Sequence, residues 1–231
     1  MWKITSGGSI FSDILIEDGI AYFGGMDSYV YAVDAGTVNE IWRFKTGKYG
    51  NSGTPVVHEN VLYCGSRDGI FYALDSKTGK ELWRFKAENV IFKSPLVYDS
   101  LVYFGCEDGN LYALTLEGKE LWRFKTGSYI DSAPAVWKGR IYVGSWDCHL
   151  YCLDSKSGEE IWRFTTSDTN PAEMPPPYEW FEAVVKKPKE EEAPEEEKYE
   201  SEIGRQDIES EYSVKSEYTF KSEYKQESEY K

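Results

Sequence analysis

Residues 73–86 read Ala73-Leu74-Asp75-Ser76-Lys77-Thr78-Gly79-Lys80-Glu81-Leu82-Trp83-Arg84-Phe85-Lys86. An apolar run ends in Asp, a polar turn containing Gly follows, and large apolar and charged residues then alternate. That order is strand, turn, strand. The stretch recurs. Trp2, Trp42, Trp83, Trp122 and Trp162 are spaced 40, 41, 39 and 40 residues apart. Around them stand Trp2-Lys3-Ile4-Thr5, Trp42-Arg43-Phe44-Lys45, Trp122-Arg123-Phe124-Lys125 and Trp162-Arg163-Phe164-Thr165. Self-similarity at a fixed period of this length marks a repeat architecture.

Three more pieces recur between successive Trp residues. The first is apolar and Pro-led: Pro55-Val56-Val57, Pro95-Leu96-Val97 and Pro134-Ala135-Val136, with Ile14-Leu15-Ile16 in the first copy. The second is Ile20-Ala21-Tyr22-Phe23-Gly24, then Val61–Gly65, Leu101–Gly105 and Arg140–Gly144. The third is Val30-Tyr31-Ala32-Val33-Asp34 and its counterparts ending at Asp75, Thr115 and Asp154. Each piece is a short run of β-branched, aromatic and aliphatic residues bounded by turn chemistry, hence a strand. Asp68-Gly69 and Asp108-Gly109 supply tight hairpins. The unit is therefore a four-stranded antiparallel meander of about 40 residues, the length of a propeller blade, and such a blade needs neighbours to cover its faces.

The stretch Ala73–Trp83 resembles the tryptophan-docking motif of pyrroloquinoline-quinone-type repeats. The resemblance covers residues 1–164 and returns four times. It implies an all-β fold, a β-propeller of four-stranded antiparallel blades. Its members include eight-bladed quinoprotein dehydrogenases, the non-enzymatic scaffold lipoprotein of the outer-membrane barrel-assembly machinery, and sensor modules of bacterial kinases. It also implies that each Trp stacks on the next blade beside the motif's Ala and Gly, pairing Trp42, Trp83, Trp122 and Trp162 with Ala32, Ala73, Ala113 and Cys152. Trp2 joins them as a docking residue. This chain departs from the motif at Val38, where a turn Gly is expected, and at Cys152, where Ala is expected; its third copy is one residue short.

The organisation expected is a lone outer strand at 2–6 and blades at about 12–46, 53–87, 93–126 and 132–165. A Pro/Glu-rich linker spans 165–200, and a tail at 201–231 repeats Ser-Glu-Tyr every six residues. The tail reads as low complexity, with strand addition and acidic Tyr motifs as the functional alternatives. Five Trp strands against four sets of the other three leave Trp2 spare. Four blades also leave two exposed apolar end faces. Closure into a tight ring of four, completion of a fifth blade by the tail, and a ring of eight from two chains all remain open, the last preferred.

The sequence offers little chemistry. Formal charge is −14, of which −4 falls on residues 1–164 and −10 on 165–231. That balance repels phosphate and argues against nucleic acid. No apolar run spans a bilayer, and the start, Met1-Trp2-Lys3-Ile4-Thr5, resembles no leader, so the expected place is the cytoplasm with reduced thiols. The quinoprotein enzymes in the family imply a disulfide of adjacent Cys residues, a calcium-holding Asp loop and eight blades; none of these is legible here. Asp27, Asp68, Asp108 and Asp147 recur as a possible cation ring, but each more simply caps its own hairpin. Cys148-His149-Leu150-Tyr151-Cys152 invites zinc, yet in a strand Cys148 and Cys152 stand about 13 Å apart, too far to share one ion. No catalytic residue, cofactor or metal is expected.

Binding points instead to the variable loops that run from each Trp strand to the next Pro-led strand. They carry Ile10 and Phe11; Tyr49 and Asn51; Ile91, Phe92 and Lys93; Tyr129 and Asp131. Variable side chains on a rigid scaffold suit binding; plugging the end of the ring is the plainer role. The expectation is a non-catalytic scaffold for a protein partner, a second copy or a small ligand. The alternatives are a quinone-dependent dehydrogenase and a split half-propeller that needs a partner chain.

Overall fold

The computed structural model describes residues 6–166, and all of them are strand, turn or loop. Blade 1 contains β1 (Leu15–Glu17), β2 (Ile20–Gly24), β3 (Tyr29–Asp34) and β4 (Glu40–Lys45). Blade 2 contains β5 (Val56–His58), β6 (Val61–Gly65), β7 (Ile70–Asp75) and β8 (Glu81–Lys86). Blade 3 contains β9 (Leu96–Tyr98), β10 (Leu101–Gly105), β11 (Asn110–Thr115) and β12 (Glu120–Lys125). Blade 4 contains β13 (Ala135–Trp137), β14 (Arg140–Ser145), β15 (His149–Asp154) and β16 (Glu160–Thr165). Each blade is an antiparallel sheet with its strands in chain order. The first strands lie side by side: Asp13 N–H donates to Thr54 Oγ1 at 3.0 Å, and Thr54 N–H to Ser94 Oγ at 3.0 Å.

Every blade has one irregularity in the same place. Ala32 pairs with Trp42, but Val33 pairs with Glu40, so Ile41 is bulged out. The same step leaves out Leu82, Leu121 and Ile161. A bulge re-aims the side chains beside it. Here it turns the Trp onto the next blade and puts Ile41, Leu82, Leu121 and Ile161 on the surface, all exposed.

The seams between blades hold the core. In the first, Tyr22, Val30, Ala32 and Trp42 pack on Leu62, Cys64, Tyr72 and Leu74. The second and third seams repeat that arrangement. The indole N–H of Trp42 donates to Ser76 O at 2.9 Å, that of Trp83 to Leu116 O at 2.8 Å and that of Trp122 to Ser155 O at 3.3 Å. Each ring lies on the following blade's last turn. A Cβ at Gly79, Gly118 or Gly158 would fall 2.6 Å from the ring of Trp42, Trp83 or Trp122. All three turn glycines also have positive φ, 70°, 85° and 72°. Ala32, Ala73, Ala113 and Cys152 are the pairing partners of the Trp residues within their own sheets, and the next blade contributes the glycine. Val38 keeps the left-handed backbone, φ 66°, at blade 1's turn.

Two exposed end faces are the sequence expectation, and the structure corrects it. On blade 1, Phe23, Tyr31 and Val33 are only 3%, 3% and 2% exposed. Phe23, Tyr31 and Val33 form their own cluster with Tyr29 and Val38, and residues 7–9 are bonded to the hairpin of the same blade. Gly7 N–H donates to Asp27 Oδ2 at 2.7 Å and Ser9 O accepts from Met26 N–H at 2.9 Å. The segment after each inner Trp strand holds the next blade in the same manner, as Gly127 N–H does with Asp147 Oδ2 at 2.7 Å. Blade 4 stays open: Trp137, Trp162 and Phe164 are 58%, 39% and 61% exposed. Trp2 and the expected linker and tail lie outside the described residues. Among the described residues, no helix is long and apolar enough to cross a membrane.

Candidate functional site

The loops between blades and the hairpins joining second to third strands share one face. The recurring Asp organises it. Asp27, Asp68, Asp108 and Asp147 each accept a bond from the N–H two residues on, the hairpin cap expected from sequence. Three of them also accept a Tyr hydroxyl four residues on: Tyr31 at 2.5 Å, Tyr112 at 2.6 Å and Tyr151 at 2.5 Å. Burial, with the adjacent carboxylate, pushes the Tyr31 hydroxyl up to about 12. Burial alone would raise Asp108, but hydrogen bonds from Tyr112 and Asn110 outweigh it and hold its carboxyl below the ordinary range. These carboxylates are structural members of the seams.

The loop residues divide into three groups. Phe11 and Tyr49 stand on the surface, 69% and 66% exposed. Phe92 is half-buried beneath Arg67, whose guanidinium lies 5.0 Å from the ring centroid. Lys93 and Asp131 meet across a seam at 3.4 Å, an ion pair without an aligned hydrogen bond. Tyr129 is half-buried, and its carbonyl accepts the Trp146 N–H at 2.9 Å. Asn51 departs from expectation. It is fully buried, its Nδ2 donates to Thr46 Oγ1 at 2.9 Å, and its side chain presses on Gly24. Ile91 and Ile130 occupy the same place against Gly65 and Gly105. For these three positions plugging is the role, because the second strand's Gly leaves a socket that only an inserted side chain fills.

Sequence reasoning missed Met26, Arg67, Glu107 and Trp146. They precede the recurring Asp in every blade, and a variable residue beside a constant one was the available signal. Arg67 reaches Met26 Sδ at 3.8 Å, and its Nε is buried without a partner. Burial raises the Glu107 carboxyl, Asp131 adds to the rise and Arg67 opposes it. Beside Arg67 lies an open cleft of about 490 Å³ lined by Lys48, Tyr49, Asp68, Lys86, Glu88 and Val90 among others. Tyr49 stands at its rim with φ 78°, a conformation that costs a bulky residue of order 1–3 kcal/mol. Among the described residues, no three His, Cys, Asp or Glu side chains group to hold a metal ion.

The fold has known counterparts. The crystal structure of BamB from Moraxella catarrhalis is 20% identical, with a TM-score of 0.64 over 70% of this chain and 55% of that one. The computationally designed Ika8 protein is 21% identical, with a TM-score of 0.61 over 68% of this chain and 49% of that one. The quinohemoprotein alcohol dehydrogenase ADHIIG from Pseudomonas putida HK5 is 20% identical, with a TM-score of 0.61 over 72% of this chain and 35% of that one. The chain thus spans about half, or less, of the length of these structures. No curated protein matches it in sequence. The family model described as outer membrane protein assembly factor BamB matches residues 26–129 and 107–179, two thirds of the chain between them. With its repeats, its docked tryptophans and that match, the chain belongs to the pyrroloquinoline-quinone-type repeat family of β-propellers typified by BamB.

Proposed function

We propose that the chain is a non-catalytic scaffold that binds an extended protein segment across its loop face, over the cleft between Tyr49 and Val90. Tyr49 is the observation that carries this reading. A Tyr held at positive φ and left 66% exposed gains nothing for the core. Exposed aromatic side chains on rigid supports are efficient contact residues. The cleft beside it mixes Lys48, Arg67 and Lys86 with Asp68 and Glu88, which suits a segment with both an apolar anchor and charges.

Selection of random peptides on the immobilised full chain tests the reading. Enriched peptides are expected to lose at least tenfold in affinity when Tyr49→Ala and Arg67→Ala are combined. Peptides indifferent to both changes would move the binding surface elsewhere. Reduction of a dye on addition of pyrroloquinoline quinone, calcium and an alcohol would overturn the non-catalytic part.

A further inference from the structure

The arginines of this chain fall into two kinds. Arg43, Arg84, Arg123 and Arg163 recur on the outer strands, and each pairs with the Glu three residues before it, at 3.5, 2.5, 2.7 and 2.6 Å. Arg67 does not recur. Among the described residues it pairs with no carboxylate, and neither does Lys48 at the other side of the same cleft. Glu107 lies within electrostatic reach of Arg67 but forms no ion pair with it.

The repeat sets neither cation. Position 48 corresponds to Gly8, Asn89 and Ser128 in the other copies, and position 67 to Met26, Glu107 and Trp146. Blade 2 alone among the four combines a Lys and an Arg there, on a stretch, residues 1–164, whose net charge is −4. The loops and hairpin that frame the cleft all belong to the described residues, and the repeat assigns no further segment to it.

Arg67 is also held ready. Its guanidinium lies over the Phe92 ring, and Nη1 meets the Met26 sulfur, a weak acceptor. Its Nε is buried without a partner. A stacked guanidinium keeps its donors in one plane, the arrangement that matches a carboxylate. The anions of the cleft are already engaged. Asp68 Oδ1 accepts the Ile70 N–H at 3.2 Å, and its Oδ2 fills the space over Gly47. Glu88 pairs with Arg123 at 3.8 Å. Lys86 adds a third cation, fixed by Nζ on Asp68 O at 2.5 Å.

We infer that the cleft selects an acidic peptide segment, an Asp or Glu carboxylate docking on Arg67 with Lys48 beside it and an adjacent apolar side chain resting on Tyr49 and Val90. The inference rests on the reading of the loop face as the binding surface, and adds what the bound segment must carry.

Fluorescence anisotropy on the full chain tests it with three labelled decapeptides: three repeats of Ser-Glu-Phe closed by Ser, the same peptide with Gln for Glu, and the Gln peptide with phosphoserine for Ser. The Glu peptide is expected to bind about tenfold tighter than the Gln peptide, the range of a hydrogen bond between charged groups, and to lose that advantage in high salt. Lys48→Gln, at an exposed side chain, and Arg67→Gln are each expected to remove most of the preference. Arg84→Gln, at an arginine already paired, is expected to keep it. Equal binding of the Glu and Gln peptides, both weakened by Tyr49→Ala, overturns the inference and leaves the binding surface in place. A Glu preference that survives both Lys48→Gln and Arg67→Gln overturns it, and so does binding confined to the phosphorylated peptide, which would make phosphate the ligand. Binding of none of the three overturns it as well, and the selection of random peptides then decides separately whether the loop face binds a segment of other chemistry.

Discussion

β12 and β16 carry nearly the same letters, Glu-Leu-Trp-Arg-Phe-Lys and Glu-Ile-Trp-Arg-Phe-Thr, and opposite surroundings. In β12 the Trp122 ring lies on Gly158, its N–H reaches Ser155 O, and Phe124 meets the Tyr151 ring edge-on at 5.3 Å between centroids. In β16 Trp162 touches Tyr142 of its own sheet, and Phe164 is 61% exposed. Burial in a repeat protein is a property of the blade that comes next, not of the strand that carries the aromatic residue.

The largest expected effect separates those two strands. Trp122→Ala should cost about 3–5 kcal/mol in denaturant unfolding, the usual cost of truncating a packed aromatic side chain, because its ring lies on the next blade and its N–H is bonded there. Trp162→Ala should cost no more than about 0.5 kcal/mol, as for a surface side chain. Next comes the glycine beneath the ring. Gly118→Ala should cost about 2–4 kcal/mol, because the residue has φ 85° and its new Cβ would fall 2.6 Å from the Trp83 ring. The same change at Gly139, where an added Cβ meets nothing, should cost only the backbone part, about 1 kcal/mol.

Smaller effects sharpen the role of the Asp–Tyr pairs. Tyr112→Phe removes a hydrogen bond to a carboxylate and should cost about 1.5 kcal/mol at pH 7. Its pH dependence has a definite sign. The folded-state pKa of Asp108 is depressed, so its contribution is present above the unfolded value and is lost as pH falls through the folded one. Tyr112→Phe should therefore flatten the loss of stability as pH falls below about 4, the ordinary carboxylate value, read from melting temperatures in acid. Smallest is the thiol effect. Burial pushes Cys64 and Cys106 up to about 12, so a thiol reagent at pH 8 should leave both unlabelled in the native chain and label all four Cys in guanidinium.

The blades, their strand order and the docking Trp residues were legible in the sequence because they repeat, and repetition filters out single-residue noise. Val38 and the short third turn stood out against that background. The bulge beside each Trp was not legible, since Ile41 and its counterparts look like core residues and only the paired register shows them turned outward. The plugs were half legible. Asn51 and Ile91 stand among the loop residues the sequence points to, whereas Ile130 sits unmarked between Tyr129 and Asp131, and the burial of all three depends on the glycine of another strand, about 25 residues away in sequence. Arg67 and Glu107 carry only a weak signal in the sequence, a variable residue beside a constant Asp. The burial of Phe23, Tyr31 and Val33 on blade 1, and the bonds of residues 7–9 to its hairpin, were not announced by any pattern.

The central claim is that docking on the following blade distinguishes Trp42, Trp83 and Trp122 from Trp162, since all four also touch a Tyr of their own sheet. Solvent exchange of the indole N–H protons tests it directly, in ¹⁵N-tryptophan-labelled protein with each signal assigned by a Trp→Phe change. The N–H groups of Trp42, Trp83 and Trp122, which are bonded to Ser76 O, Leu116 O and Ser155 O, are expected to exchange slowly. That of Trp162 should exchange at the rate of an exposed indole. Protection of Trp162 equal to that of Trp122 would contradict the claim.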